Sequence, residues 1–243
     1  MNFAAIGGKK KELSSGWWKL MTGSSAIIAG GSGLVGDELL HLLLKQSEIT
    51  TVYALSRREL PLHGSKLQQI IHPELRITEW EDASPTPTVG FICLGTTKKQ
   101  AGTKKALEAV DYQLVKDVAK TMKMLGVRHI VVISSLFASP WSPSHYLRCK
   151  GKMEHAVVKM GFEHCIFVRP GPLKGDRSKP RKDELLVQGL FDVIHPLAIG
   201  PLANLNPIPA EQVAQKMLAL AQEAQRHELP KVFTLSGRML ASH

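Results

Sequence analysis

Tyr146 and Lys150 are the side chains of this sequence best suited to move a proton. Their four-residue spacing places both on one face of a helix. A tyrosine hydroxyl has a pKa of about 10 in water, and a neighbouring ammonium lowers it by favouring the phenolate. The pair is therefore suited to exchange a proton with a carbonyl or alcohol oxygen. Ser135 is expected to hydrogen-bond that oxygen, with Ser134 as the alternative, because both follow a strand-like run upstream of Tyr146.

A glycine-rich turn near the start of the chain is suited to bind phosphate. Gly30-Gly31-Ser32-Gly33-Leu34-Val35-Gly36 lies between an apolar run and a leucine-rich helical stretch over Asp37–Lys45. Glycines at three-residue spacing let the chain turn tightly, let the backbone approach a pyrophosphate, and let the helix pack close to its strand. Unpaired N–H groups and the positive end of the helix dipole then favour an anion. The turn predicts a dinucleotide site.

Two adjacent arginines, Arg57 and Arg58, follow the second strand-like run. In dinucleotide-binding domains a carboxylate at this position hydrogen-bonds the ribose 2′-hydroxyl of NAD, whereas an arginine accommodates the 2′-phosphate of NADP. The pair therefore predicts NADP(H) as the cofactor. The alternative is that both are ordinary exposed arginines at a strand end.

Apolar runs alternate with amphipathic stretches along the chain. This alternation is typical of a Rossmann-type, doubly wound α/β fold with a parallel sheet covered on both faces. A helical pattern runs from Leu107 to Leu125 and is closed by Gly126. Two prolines and a glycine disfavour a full crossover helix over 59–73, and two helical turns over Ser65–Ile71 are the alternative. Strands are predicted at Ser25–Ala29, Thr51–Leu55, Leu75–Trp80, Val89–Leu94, His129–Ile133, Cys165–Arg169 and Lys231–Leu235, and later helices at Lys182–Leu197 and Ala210–Arg226.

The domain organisation follows from length and composition. Residues 23–243 are predicted to form one NAD(P)-binding Rossmann domain, in which 172–243 contributes a small C-terminal substrate or lid region. Residues 1–22 are interpreted as a disordered extension. No apolar run reaches the roughly 18 residues that a membrane span needs. The net charge of +10 is spread along the chain without interleaved aromatics, which favours a solvated surface and an anion-binding pocket over a nucleic-acid interface.

The three cysteines, Cys93, Cys149 and Cys165, stand at scattered spacings. Their pattern predicts free thiols in a reducing compartment and supports neither a disulfide framework nor a metal site. The first twenty residues lack the apolar core and cleavage site of a secretory signal. A cytoplasmic protein without a metal is therefore expected.

These motifs, in this order, resemble the atypical short-chain dehydrogenase/reductases, and most closely the Tat-interacting-protein group of NADPH-binding oxidoreductases. Beyond the glycine turn and the tyrosine motif, the resemblance is carried by Cys93-Leu94-Gly95-Thr96-Thr97, Lys150-Gly151, Arg169-Pro170-Gly171 and Asp176-Arg177. It implies a Rossmann fold with cofactor contacts at Gly30, Ser32, Gly33, Leu34, Val35, Gly36, Arg57, Arg58, Leu94, Gly95, Tyr146, Lys150, Leu173 and Arg181. Asp111 stands where the wider superfamily often carries a catalytic asparagine, and Ala29 replaces the usual threonine before the first glycine.

Two functions are compatible with these residues. The first is an NADP(H)-dependent oxidoreductase that transfers a hydride between the nicotinamide and a carbonyl or alcohol substrate, with Tyr146 as acid/base and Lys150 and Ser135 in support. The alternative is an NADPH-binding, redox-sensing regulator with little or no catalysis. A small-molecule substrate is the expected partner, and the fold is also compatible with a protein partner or a homodimer.

Overall fold

The computed structural model describes residues 23–174 and 207–240 of the chain. Its centre is a seven-stranded sheet in which every neighbouring pair is parallel, in the order β3-β2-β1-β4-β5-β6-β9. Two short strands, β7 and β8, pair separately. The strands are β1 Ser24–Ala29, β2 Ile49–Ser56, β3 Leu67–Ile71, β4 Val89–Ile92, β5 His129–Ile133, β6 His164–Arg169, β7 Leu173–Lys174, β8 Ile208–Pro209 and β9 Val232–Ser236.

Helices cover both faces of this sheet, which confirms the predicted doubly wound α/β class. They are α1 Leu34–Lys45, α2 Lys98–Ala101, α3 Lys104–Glu108, a π-helical segment Ala109–Leu114, α4 Val115–Met124, α5 His145–Val158, α6 Ala210–Gln225 and a 3₁₀ turn Gly237–Leu240. Among the described residues, none of these helices combines the length and apolarity needed to cross a bilayer.

The core consists of two layers separated by the sheet. Ile27 and Ile28 are both fully buried in β1 but contact opposite layers, because successive side chains of a strand point to opposite faces. One layer packs α1 and α6 through residues such as Leu39 and Met217, and the other includes Met153 of α5. Strands buried on both sides explain why the sequence shows continuous apolar runs rather than alternation.

The strand order reverses between β1 and β4. In doubly wound sheets, ligands bind in the crevice at this point, beyond the carboxyl ends of the strands. The glycine turn follows β1, Leu94 and Gly95 follow β4, and Ser134 and Ser135 follow β5. The fold therefore brings three sequence-predicted segments to one edge of the sheet.

One predicted strand is wrong: Leu75–Trp80 is not a strand. The described segment 59–73 before it holds no helix, as its prolines and glycine indicated, and in place of the alternative of two helical turns Leu67–Ile71 forms the edge strand β3. Leu75 has a φ of +54°, which is incompatible with an extended run. The apolar character of that segment has another cause: Trp80 packs on the Tyr53 ring with the centroids 4.7 Å apart.

The β3 segment pairs with β2 through its backbone, and the side chain of Gln69 binds the loop before it. Gln69 accepts a hydrogen bond from the Leu60 nitrogen at 2.7 Å and donates to the Leu60 and Leu62 carbonyls at 3.1 Å each. These contacts tie β3 to the preceding loop. The predicted helix Lys182–Leu197 and the 1–22 extension lie outside the described residues.

Candidate functional site

The glycine turn brings the start of α1 against the backbone that follows β4. Gly30 has a φ of +92°, and a Cβ there would lie 2.7 Å from the carbonyl carbon and oxygen of Cys93. A Cβ on Gly36 would lie 2.1 Å from the Gly30 oxygen, so no larger residue fits without a shift of the backbone. The Gly33 nitrogen donates to that oxygen at 2.9 Å.

The N-terminus of α1 is available to an anion. In the described part of the chain, no side chain caps it after Gly33. Backbone N–H groups at such an end have no partner within the helix, and the helix dipole adds a partial positive charge. This geometry is what phosphate binding at a glycine-rich turn requires.

Arg57 and Arg58 lie across a cavity from this turn. The cavity has a volume of about 370 Å³, and its lining includes Gly31, Ser32 and Leu94 as well as both arginines. Both arginines are exposed, and within residues 23–174 and 207–240 neither guanidinium is paired with a carboxylate. Their charge is free to meet an anionic group.

Two further cavities continue from the turn along the sheet edge. The first, of about 550 Å³, runs past Leu94 and Gly95 towards the helix that contains Val110. The second, of about 210 Å³, reaches α5. Its lining includes most of the remaining predicted site residues: Gly33, Leu34, Val35, Leu94, Gly95, Ser134, Ser135, Tyr146, Lys150 and Leu173. The structure thus brings the predicted cofactor and proton-transfer residues to one groove, whereas Arg181 lies outside the described residues.

Lys150 is buried beside the carboxylate of Asp111, the residue that stands where the wider superfamily often carries a catalytic asparagine. Its side chain is 2% exposed, and Nζ lies 2.8 Å from Oδ1 of Asp111, which is fully buried. Nζ also donates to the carbonyls of Ile133 and Leu94 at 3.4 and 3.5 Å. Burial opposes the ammonium charge, but the Tyr146 oxygen and the Asp111 carboxylate outweigh it and raise the pKa of Lys150.

Asp111 lies in the six-residue π-helical segment between α3 and α4. Such segments inside helices are frequently found at functional sites. Its second oxygen, Oδ2, accepts a hydrogen bond from the Thr96 nitrogen at 3.1 Å. The carboxylate therefore ties the loop after β4 to Lys150.

The two candidate serines differ in how their hydroxyls are satisfied. Ser134 Oγ is buried and has no hydrogen-bond partner within the described residues. Ser135 Oγ donates to the Leu136 carbonyl at 3.3 Å. Both line the cavity that Tyr146 and Lys150 share. Ser134 therefore has the freer hydroxyl, and the role of Ser135 stays a prediction.

A second ion pair supports the far wall of this cavity, and sequence reasoning missed it. Arg169 donates from Nε to Oε1 of Glu154 at 2.8 Å, and its terminal nitrogen contacts the other carboxylate oxygen. Glu154 follows Lys150 by one helical turn, and Arg169 ends β6. The pair holds α5 against the Pro170-Gly171 loop, which lines the cavity. Two signals are present in the sequence: Arg169-Pro170-Gly171 is one of the segments that carry the family resemblance, and Glu154 follows Lys150 at four-residue helical spacing.

The parallel sheet, the glycine turn after β1 and the Tyr146–Lys150 pair after β5 define a protein with a short-chain dehydrogenase/reductase-like Rossmann fold. Within that class, the chain belongs to the FMP52 family. It is 34% identical over 217 residues to Protein FMP52, mitochondrial, of Meyerozyma guilliermondii, which covers 87% of this chain and 91% of that protein. It is 32% identical over 162 residues to the Saccharomyces cerevisiae protein of the same name, covering 65% and 69%.

A family model described as HIM1 matches residues 86–194. The curated relatives thus carry the FMP52 name, and the expected likeness to the Tat-interacting-protein group is not the one that these comparisons find. The broader expectation of a short-chain dehydrogenase/reductase-like fold is confirmed.

Solved structures show the same fold. MoeE5 in complex with UDP-glucose and NAD matches with a TM-score of 0.62 and 15% identity, over 87% of this chain and 75% of that one. A short-chain dehydrogenase/reductase family oxidoreductase from Burkholderia thailandensis matches with a TM-score of 0.62 and 17% identity, over 91% and 94%.

The prediction of a cytoplasmic location is wrong, because the FMP52 relatives are named mitochondrial. That prediction rested on free cysteines and on the lack of a secretory signal. Neither feature distinguishes the cytoplasm from an organelle.

Proposed function

We propose that this chain is an NADP(H)-dependent oxidoreductase that transfers a hydride between the nicotinamide and a carbonyl or alcohol substrate. The observation that carries the proposal is the buried Lys150–Asp111 pair, one helical turn from Tyr146. Lys150 and Tyr146 line a cavity that also reaches the glycine turn, and Asp111 lies behind Lys150. Titratable groups that are buried and paired in this way beside a cleft are typical of reacting sites.

The groove fits a dinucleotide phosphate on structural grounds. The uncapped start of α1 would hold the pyrophosphate, and Gly30 and Gly36 keep the backbone close there. The free guanidinium groups of Arg57 and Arg58 would hold a 2′-phosphate. Leu94 and Gly95 line the middle of the groove, and Leu173 offers apolar surface at its far end. When bound, the cofactor would supply or accept the hydride.

The chain's own residues would handle the proton. Tyr146 donates its hydroxyl proton to the substrate oxygen, so that negative charge develops on the tyrosine oxygen. The Lys150 ammonium stabilises this charge, and Asp111 and two backbone carbonyls already hold Nζ in place. Such a preorganised charge in a buried site costs little reorganisation during the reaction. Ser134 or Ser135 would hydrogen-bond the substrate oxygen.

We further propose that the protein functions in mitochondria. The support is the printed name of its relatives, of which the Meyerozyma guilliermondii protein shares 34% identity over most of both chains. A mitochondrial reductase of this type would act on a small carbonyl or alcohol compound.

Tyr146→Phe tests the proposed reaction. Phenylalanine keeps the ring but lacks the hydroxyl, so turnover of aldehydes or ketones with NADPH should fall by about 10²- to 10⁴-fold. NADPH affinity, measured by fluorescence titration, should stay nearly unchanged. Tyr112→Phe is the matched control, because it removes a tyrosine hydroxyl from the neighbouring π-helical segment.

Full turnover in the Tyr146→Phe protein would contradict the assignment of this residue. A wild-type protein that binds NADPH, turns over no compound in a broad carbonyl panel, and binds a partner with different affinity in NADPH and NADP⁺ would instead be the redox-sensing regulator.

A further inference from the structure

We propose that Glu108, His145 and Cys149 form a binding site for a divalent transition metal, with Zn²⁺ as the best match. Cys149 Sγ lies 3.6 Å from His145 Nε2, and that nitrogen lies 3.8 Å from Glu108 Oε2. One ligand atom from each residue lies within 4.8 Å of the other two. The scattered cysteines gave no sign of a metal site in the sequence. The fold brings Glu108, which is distant in sequence, next to the other two residues.

Two helices build this cluster. His145 and Cys149 are one turn apart on α5, and Glu108 is the last residue of α3. Ser144 fixes the start of α5, since its hydroxyl accepts a hydrogen bond from the Leu147 nitrogen at 3.5 Å. Cys149 is buried, whereas Glu108 and His145 are partly exposed, so the cluster has a buried end and an end open to solvent. A metal ion can enter from that open end.

The donor set and its spacing match zinc. Zinc binds thiolate sulfur at about 2.3 Å and imidazole nitrogen or carboxylate oxygen at about 2.0–2.2 Å, in a tetrahedron. Ligand atoms at those distances are roughly 3.3–3.7 Å apart. The observed separation of Cys149 Sγ and His145 Nε2, 3.6 Å, falls in that range. The Glu108 carboxylate, 3.8 Å from His145 Nε2 and within 4.8 Å of Cys149 Sγ, must move closer to both when a metal binds. Three protein ligands leave a fourth position for water or for the Lys104 carbonyl, which is 3.2 Å from Nε2.

Binding would exchange protons for the metal. The Cys149 thiol would release its proton to solvent and bind as the thiolate. His145 would carry its ring proton on Nδ1, so that Nε2 offers its lone pair in place of its present contact with the Lys104 carbonyl. No electron transfer is involved.

The position of the cluster indicates what a bound metal would do. His145 and Cys149 directly precede Tyr146 and Lys150 on α5, and Glu108 joins the helical segment that contains Asp111. A metal would tie α3 to α5 and fix the two elements that carry the buried ion pair. We therefore infer a positioning role.

Cobalt provides the test, because tetrahedral Co²⁺ bound to a thiolate has a charge-transfer band in the near ultraviolet. The full-length protein, freed of metal and without nucleotide, is titrated with Co²⁺. A saturable thiolate band should appear and should disappear on addition of Zn²⁺. Cys149→Ser should abolish the band. Glu108→Gln and His145→Gln should weaken Co²⁺ binding by at least the roughly 10- to 100-fold that loss of a supporting ligand partner costs.

Cys165→Ser and His227→Asn are the matched controls, since they remove a buried cysteine and a histidine outside the cluster; both should bind Co²⁺ like the wild type. Circular dichroism checks that each variant folds, and the partly exposed Glu108 and His145 keep the test valid if Cys149→Ser does not fold. A wild-type protein without the band, or a band that persists without Cys149, overturns the proposal. The readout is binding, so it stands or falls separately from the oxidoreductase activity.

Discussion

The two ends of the parallel sheet each bury a pair of titratable side chains, but the two pairs compensate the cost of burial in different ways. Beyond the carboxyl ends, Lys150 and Asp111 form a pair of opposite charges 2.8 Å apart. At the amino ends of β5 and β6, His129 Nδ1 and His164 Nδ1 lie 2.9 Å apart and share a hydrogen bond. Burial and the neighbouring His164 lower the pKa of His129 to about 4, so that His129 is neutral at physiological pH.

The difference shows where the fold keeps buried charge. A buried ion is costly unless an opposite charge and hydrogen bonds compensate it. The amino end avoids that cost at His129, whose imidazole is neutral, which suits a packing role. The carboxyl end keeps the Lys150 ammonium in the wall of the groove and the Asp111 carboxylate behind it, although apolar residues often replace a buried ion pair without loss of stability. The substitutions described below test this contrast.

Asp111→Ala should have the largest effect. It leaves the Lys150 ammonium buried without its carboxylate, and breaking a buried pair in this way costs about 3–5 kcal/mol. Urea unfolding measures the loss. Asp117→Ala, an exposed carboxylate in α4, is the control and should change stability by no more than about 0.5 kcal/mol. Equal stability of the two variants would mean that the buried pair is not a charged pair.

Lys150→Met combined with Asp111→Leu should separate stability from function. Removing both partners leaves no unpaired charge, so the double variant should recover most of the roughly 3–5 kcal/mol that either single change loses. Turnover with NADPH should nevertheless stay as low as in Lys150→Met alone, because the charge near Tyr146 is gone. A double variant with wild-type turnover would show that the reaction does not use the ammonium.

The double variant Arg57→Ala, Arg58→Ala tests two charges at the carboxyl edge of the sheet, both of them exposed and, within the described residues, unpaired. Each charge-assisted contact with a 2′-phosphate adds about 1.5–3 kcal/mol, or about ten- to a hundredfold in affinity. NADPH binding should therefore weaken towards that of NADH, while the unfolding free energy stays unchanged. Arg76→Ala removes an exposed arginine that pairs with Glu74 and serves as the control. A double variant that still prefers NADPH would rule out this role for the arginines.

Much of the fold was readable from the sequence because burial on both faces leaves an unambiguous signal. Ile27 and Ile28 in β1, and the run through β2, are apolar at successive positions for that reason. The edge strand β3 carries two glutamines and is half-exposed, so its pattern resembled a short helix. Leu75–Trp80 carries apolar side chains because Leu75 is buried and Trp80 packs on the Tyr53 ring, and this burial is indistinguishable in sequence from that of a strand.

The candidate site was predictable only where its residues are local in the chain. The glycine turn and the Tyr146–Lys150 spacing are local motifs with a known physical reason. The pairing of Lys150 with Asp111, of Glu154 with Arg169, and the cluster around His145 each join separate elements. These contacts form only when α5 packs against α3, the π-helical segment and β6, and the spacing of residues along the chain does not reveal that packing.

His129→Asn should have the smallest effect, and it examines the neutral end of the sheet. His129 faces His164 and His227, and the charged groups Glu163 and Arg128 lie nearby, with burial as the largest cause of its lowered pKa. A histidine whose pKa is lower in the folded state than in the unfolded chain binds fewer protons when folded, so stability is lost as the pH falls from about 6.5 to about 4.

Asparagine keeps a hydrogen-bonding group near the position of Nδ1 but does not titrate. Urea midpoints measured across that range should therefore vary less with pH in the variant, whereas His63→Asn, at an exposed loop position, should keep the wild-type slope. Parallel slopes in all three proteins would show that His129 is not protonated on unfolding, and the contrast between the two ends of the sheet would then rest on the carboxyl end alone.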